Sequence, residues 1–235
     1  MNAQLMIVED DTRVRESLRL AMEDEGYVVA EAESAEHALE HVHSVGVPDV
    51  LIVDLMLGGM DGFTCIREVR REHDVPIIVV SARDDTHDVV AALEAGADDF
   101  VTKPFEVKEL TARIRAVGRR TRHSTEREVV ELVLDAAPDR RLILCPERGS
   151  VRLAGEEVHL TLTEFRLLCE LAQNDGLVLS RQVLLDKIWD RGFFGDDRIV
   201  DVHIRRLRTK IERDPAEPRL IVTVRGLGYR LDAGS

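Results

Sequence analysis

The chain has 235 residues, 44% of them hydrophobic, 33% charged and 4% aromatic, with a formal net charge of −13. This is ordinary globular composition, with length for two domains of about 100–120 residues, each able to bury its own core. No apolar stretch reaches the roughly 18 residues of a membrane span, the N-terminus enters a strand without a signal segment, and Cys65, Cys145 and Cys169 lack metal-ligand spacing, so a cytoplasmic chain with reduced thiols and no membrane partner is expected.

In chain order, strand-like runs near residues 4–9, 27–31, 49–54, 76–81 and 99–102 alternate with helix-like segments. Thr12 is the expected cap of a helix bearing Val14, Leu18 and Met22 on one side and ended by Gly26. Ser34 caps the next, with Ala38, Leu39 and Val42 inward; Gly96 ends another; Pro104 precedes a last one with Leu110 and Ile114 inward. Such alternation implies a parallel α/β sheet covered on both faces. Residues 118–128 are polar throughout and read as a linker. A strand-rich region follows at 129–160, then helices starting near Thr163 and Ser180, with those two residues as caps, and a third from about Arg198 to Glu212. The chain closes on a hairpin, Leu220–Val224 and Tyr229–Leu231, with glycines in its turn.

The polar residues at the strand ends carry the chemistry. Glu9, Asp10 and Asp11 follow the first strand, Asp54 the third, Ser81 the fourth and Lys103-Pro104 the fifth. In an open parallel sheet these ends meet in one crevice. Carboxylates gathered there repel unless a divalent cation or a lysine offsets them, which is the donor set of a Mg²⁺ and phosphoryl site. Taken singly, each has a plainer use: Asp10 and Asp11 as helix caps, Asp54 in a turn, Lys103 on the surface, Phe100 in the core.

Charge points to a second site. Residues 1–122 hold 14 Lys and Arg against 25 Asp and Glu, whereas residues 198–230 hold 9 against 4. On the helix from Arg198, Val200, Ile204, Leu207 and Ile211 form one apolar stripe, and Arg198, Val202, Arg205, Arg206 and Thr209 lie opposite. Arginines opposite a buried stripe suit a DNA major groove. Arg225 near the hairpin tip suits a narrow minor groove.

With these motifs in register, residues 1–120 resemble a response-regulator receiver domain. Residues 130–235, after a linker at 121–129, resemble the winged helix-turn-helix domain of the OmpR/PhoB subfamily, an α+β fold. The resemblance covers nearly the whole chain and implies a two-component, phosphorylation-controlled DNA-binding regulator rather than an enzyme. Asp54 is then the phospho-acceptor, served by a sensor histidine kinase. Asp10, Asp54 and the backbone carbonyl of Met56 bind Mg²⁺, with Glu9 in the outer sphere. Ser81 and Lys103 contact the phosphoryl group, and Ser81 and Phe100 form the switch. The Lys103-Pro104 bond is cis in the family.

The resemblance also implies a homodimer on phosphorylation, through Asp98, Asp99, Glu109, Arg113 and Arg119. It implies contact with double-stranded promoter DNA by Arg198, His203, Arg205, Arg206, Arg208, Thr223 and Arg225. His203 falls on the flank, nearer a phosphate than a base. The loop at 190–197, with Phe193 and Phe194, is the place for contact with RNA polymerase or for packing on Trp189.

The chain departs from the family at Val89, where a basic residue is usual, at Gly58, where proline is usual, and at Phe100, where many relatives have tyrosine. Val89 leaves Glu109 without its cross-dimer cation. Two other classes compete. A phosphatase using Asp54 needs a second acid at position 56, which is Met56. A DNA-binding protein with a phosphate-insensitive receiver has no need of the acids and Lys103.

Overall fold

The structure, a computed structural model, describes residues 3–83, 85–117, 130–189 and 197–234, in two compact units spanning residues 1–118 and 119–235. Arg119, the stretch 121–129, Phe193 and Phe194 lie outside the described residues.

The first unit runs β1 (Gln4–Val8), α1 (Thr12–Asp24), β2 (Val28–Ala32), α2 (Ala35–Ser44), β3 (Val50–Val53), α3 (Gly62–Glu72), β4 (Ile77–Ser81), α4 (Thr86–Ala95), β5 (Asp99–Thr102) and α5 (Val107–Val117). Its sheet has the order β2-β1-β3-β4-β5, with every pair parallel. Helices cover both faces, so β3 and β4 are buried at every position and read as unbroken apolar runs. The register aligns Ile7, Ile52 and Ile78 across the central strands, each no more than 1% exposed. Burying such a side chain contributes roughly 1.5–3 kcal/mol.

The second unit begins with an antiparallel sheet in the order β6 (Leu132–Asp135), β7 (Leu142–Cys145), β8 (Ser150–Leu153), β9 (Glu156–Glu157). Helices α6 (Leu162–Gln173), α7 (Arg181–Ile188) and α8 (Arg198–Ile211) follow, then the hairpin of β10 (Ile221–Val224) and β11 (Gly228–Leu231). Helix α8 packs on α6 and α7. Leu179 and Tyr229 exchange backbone hydrogen bonds of 2.8 and 2.9 Å, which seats the hairpin against the start of α7. Gly228 is required at that seat: its φ is +145°, and a Cβ there would lie 2.0 Å from the Leu179 carbonyl oxygen.

Two helix caps differ from expectation. Asp11, not Thr12, caps α1, accepting the N–H groups of Arg13 and Val14 at 2.8 and 3.1 Å. Thr161, not Thr163, caps α6 in a capping box with Glu164. A cap must precede the first helical turn with extended backbone, and Thr12 and Thr163 are already inside their helices. Ser34 and Ser180 cap α2 and α7 as expected. Among the described residues, no helix is long and apolar enough to cross a membrane.

Candidate functional site

The parallel sheet places Glu9 and Asp10 just past β1, Asp54 just past β3, Ser81 at the end of β4 and Lys103 just past β5. Lys103 Nζ donates to Glu9 Oε2 and Asp54 Oδ2, both at 2.6 Å, joining residues 94 and 49 positions apart. Glu9 and Asp54 are buried and Asp10 is exposed. Asp54 Oδ1 accepts the Met56 N–H at 3.0 Å, and Asp10 Oδ2 accepts the Gly58 N–H at 3.2 Å. The Lys103–Pro104 peptide bond is cis. Asp11 turns away to cap α1.

Burial pushes the Glu9 carboxyl above its ordinary value despite Lys103. Burial pulls the Lys103 ammonium down, but its hydrogen bonds to Asp54 and Glu9 outweigh it and hold the ammonium above its ordinary value. The causes differ, burial for Glu9 and the two carboxylates for Lys103; that Glu9 and Asp54 share one ammonium leaves the pocket short of positive charge. Among the described residues, no three acidic, histidine or cysteine side chains already form a metal cage. Mg²⁺ does not require one, because it is commonly held by one or two carboxylates with waters completing the shell. Asp10 and Asp54 with a backbone carbonyl fit that need.

The loop after β3 is fixed by residues that sequence reasoning passed over. Gly62 N–H donates to Leu55 O at 3.1 Å, and a Cβ at Gly62 would lie 2.2 Å from the Asp54 carbonyl oxygen. Glu36 accepts the Met60 N–H at 3.0 Å. The signal for Gly62 was the Asp61-Gly62 pair, in which Asp61 also caps α3. Glu36 gave no local signal.

Ser81 is fully buried, with its Oγ accepting the Arg83 N–H at 3.4 Å, and Phe100 is buried on β5. The expected surface at Asp98 and Asp99 is corrected: both side chains have no exposed area. Arg70 of α3 pairs with Asp98 at 2.5 Å, and Arg113 of α5 grips Asp99 through contacts of 2.9 and 3.0 Å. Adjacent residues of an extended chain point to opposite faces, so each carboxylate meets a different covering helix. Arg113 also pairs with Glu109 at 2.8 Å.

In the second unit, α8 buries Val200, Ile204, Leu207 and Ile211 as expected, and also Ile199, Val202 and His203. His203 is therefore corrected as a phosphate contact: its ring is fully buried with its centroid 5.4 Å from that of Trp189. Two arginines are engaged inside the unit. Arg206 Nε lies 3.0 Å from Glu164 Oε1, while Lys210 Nζ reaches Glu164 Oε2 at 2.7 Å. Arg208 donates to Ile221 O and to Thr223 Oγ1, at 2.5 and 2.8 Å, and lies over the Tyr229 ring. Arg198, Arg205, Thr209, Thr223 and Arg225 are exposed. A network absent from the sequence reading ties this face together: Tyr229 donates to Asp201 at 2.6 Å, and Arg181 pairs with Asp201 at 2.7 Å.

Comparison with known proteins agrees with both halves. Residues 5–115 match the response regulator receiver domain and residues 155–231 match the family described as transcriptional regulatory protein, C terminal. The chain is 45% identical over 228 residues to transcriptional regulatory protein AfsQ1 of Streptomyces coelicolor, covering 97% of each. It is 42% identical to sensory transduction protein RegX3 of Mycolicibacterium smegmatis, covering 97% of this chain and 98% of the relative. Among solved structures it resembles DrrB, an OmpR/PhoB homolog of Thermotoga maritima, at 29% identity and TM-score 0.50, covering 99% of this chain and 100% of that one. A five-stranded parallel receiver followed by a DNA-binding unit with a hairpin wing thus belongs to the OmpR/PhoB family of two-component response regulators, which are transcriptional regulators and not a class of enzymes.

Proposed function

We propose that Asp54 is the phospho-acceptor of this regulator, served by a sensor histidine kinase, and that residues 1–120 act as receiver and 130–235 as DNA-binding effector. One observation carries the reading: Lys103 bonds both Asp54 and Glu9 in a pocket short of positive charge. In the transfer, an Asp54 carboxylate oxygen attacks phosphorus as the P–N bond to the kinase imidazole breaks, and that nitrogen leaves with the electron pair. Lys103 turns from Asp54 to the phosphoryl oxygens, and the Ser81 hydroxyl donates to one of them. Phosphoryl transfer is mainly positioning and charge neutralisation. Asp10, Asp54 and the Met56 carbonyl are the residues that would hold Mg²⁺, with Glu9 outside them; the metal would supply neutralisation of the developing charge. Met56 stands where a phosphatase of this kind needs a second acid.

Movement of Ser81 toward the phosphoryl group leaves room that Phe100 fills. Phe100 has no hydroxyl, so packing alone biases this switch. The product is a receiver homodimer, formed through the face that carries Glu109 with Arg113 buried beneath it, that delivers two effector units to double-stranded promoter DNA in the cytoplasm. Arg198, Arg205, Thr223 and Arg225 are the exposed candidates for DNA contact, and RNA polymerase is a further partner.

The test is intact mass of wild type and Asp54→Ala after incubation with a small-molecule phosphodonor and Mg²⁺. A phosphoryl-sized gain in wild type alone, abolished by chelator, is expected. An equal gain in Asp54→Ala overturns the assignment.

A further inference from the structure

Asp10 is shared between two tasks. Its Oδ2 accepts the Gly58 N–H at 3.2 Å, linking the β1–α1 turn to the loop after β3 across 48 residues of sequence. The same carboxylate stands beside Glu9 on the rim of the acidic pocket. We propose that the Gly58 N–H competes with Mg²⁺ for Asp10, so that binding of the metal releases this tether of the loop. The inference rests on the reading of Asp10 as a metal ligand.

The physical reason is local. A carboxylate oxygen aimed at an amide hydrogen gives that hydrogen its electron density, and the positive end of the N–H dipole opposes a second positive centre on the same group. Glu36 still holds the loop through Met60 N–H at 3.0 Å, so release is confined to residues near position 58 rather than spread through α3. Gly58 is thus a positioning residue acting through its backbone. A Cβ at position 58 would meet only Asp10 Oδ2, at an ordinary 3.8 Å. Alanine therefore finds space there and keeps the donor, whereas proline removes the donor and sets its ring carbon where the amide hydrogen points at Asp10.

The experiment uses the full chain. Mg²⁺ is titrated calorimetrically into wild type, Gly58→Ala and Gly58→Pro, and the Gly58 amide of ¹⁵N-labelled wild type is followed by NMR. Gly58→Pro is expected to bind Mg²⁺ roughly threefold to tenfold tighter than Gly58→Ala, the size of one partly solvated hydrogen bond to a charged acceptor. The wild-type Gly58 amide proton is expected to move upfield and exchange faster at Mg²⁺ saturation. Equal or weaker binding by Gly58→Pro overturns the proposal. So does a Gly58 amide that does not move while wild type binds the metal, a result that needs no variant to fold. Absence of Mg²⁺ binding by wild type overturns the metal-site reading beneath it.

Discussion

The Tyr229 hydroxyl donates to Asp201 at 2.6 Å, and the guanidinium groups of Arg181 and Arg208 lie 5.3 and 5.6 Å from its ring centroid. Burial, then the bond to Asp201, pushes this phenol up to about 12. Its folded value lies above the unfolded value near 10, so its stabilising contribution is present below about pH 10 and is lost as pH rises toward 12. We expect the difference in absorbance titration between wild type and Tyr229→Phe to show phenolate forming only near pH 12. A difference signal centred near pH 10 would refute the network. Glu9, Asp54 and Lys103 were legible as a cluster because each sits at a strand end, and topology alone brings strand ends together. The partners of Tyr229 are 28 and 48 residues away on separate helices, so no local pattern announces them.

At the scale of elements, α8 shows where helical periodicity stops. One apolar stripe was visible, and the stripe is buried. The helix is enclosed by α6, α7 and the hairpin, and a helix packed on several sides buries residues beyond one stripe, His203 and Val202 among them. Its attachment to α6 is ionic: Glu164, fully buried, pairs with Arg206 and Lys210. Burial opposes ionisation of Glu164, but these two cations outweigh it and hold the carboxyl below its ordinary value. Glu164→Ala removes the buried partner and leaves Arg206 and Lys210 partly exposed, so it should cost about 1–3 kcal/mol. Urea unfolding followed by Trp189, the single tryptophan of the chain, reads this directly, and a loss under about 1 kcal/mol would show the pairs to be incidental. Because the folded value is lowered, the Glu164 contribution is present above the unfolded value of 4.5 and is lost as pH falls through the lower folded value.

For the whole molecule, charge is distributed by task. The acidic surplus lies in the first 122 residues, while residues 198–230 hold 9 basic and 4 acidic residues. The general acidity opposes indiscriminate binding to polyanions, and the local surplus steers one face toward them. In the proposed dimer, Glu109 already has Arg113 as its cation within one chain. Exposed ion pairs contribute about 0–1 kcal/mol, so Glu109→Ala should change the dimerisation constant of the phosphorylated protein by no more than about fivefold. Sedimentation at two salt concentrations checks this, and a larger loss that vanishes in high salt would restore a cross-dimer role for Glu109. The seating of the hairpin on Leu179 has a last consequence. Gly228, Tyr229 and Arg208 hold the frame of the wing, whereas Arg225, Gly226 and Leu227 at its tip are exposed. If the tip meets DNA as proposed, frame and tip answer to different demands, one to folding and the other to the operator. A lineage of such regulators is therefore able to rewrite the address at the tip while inheriting the frame unchanged.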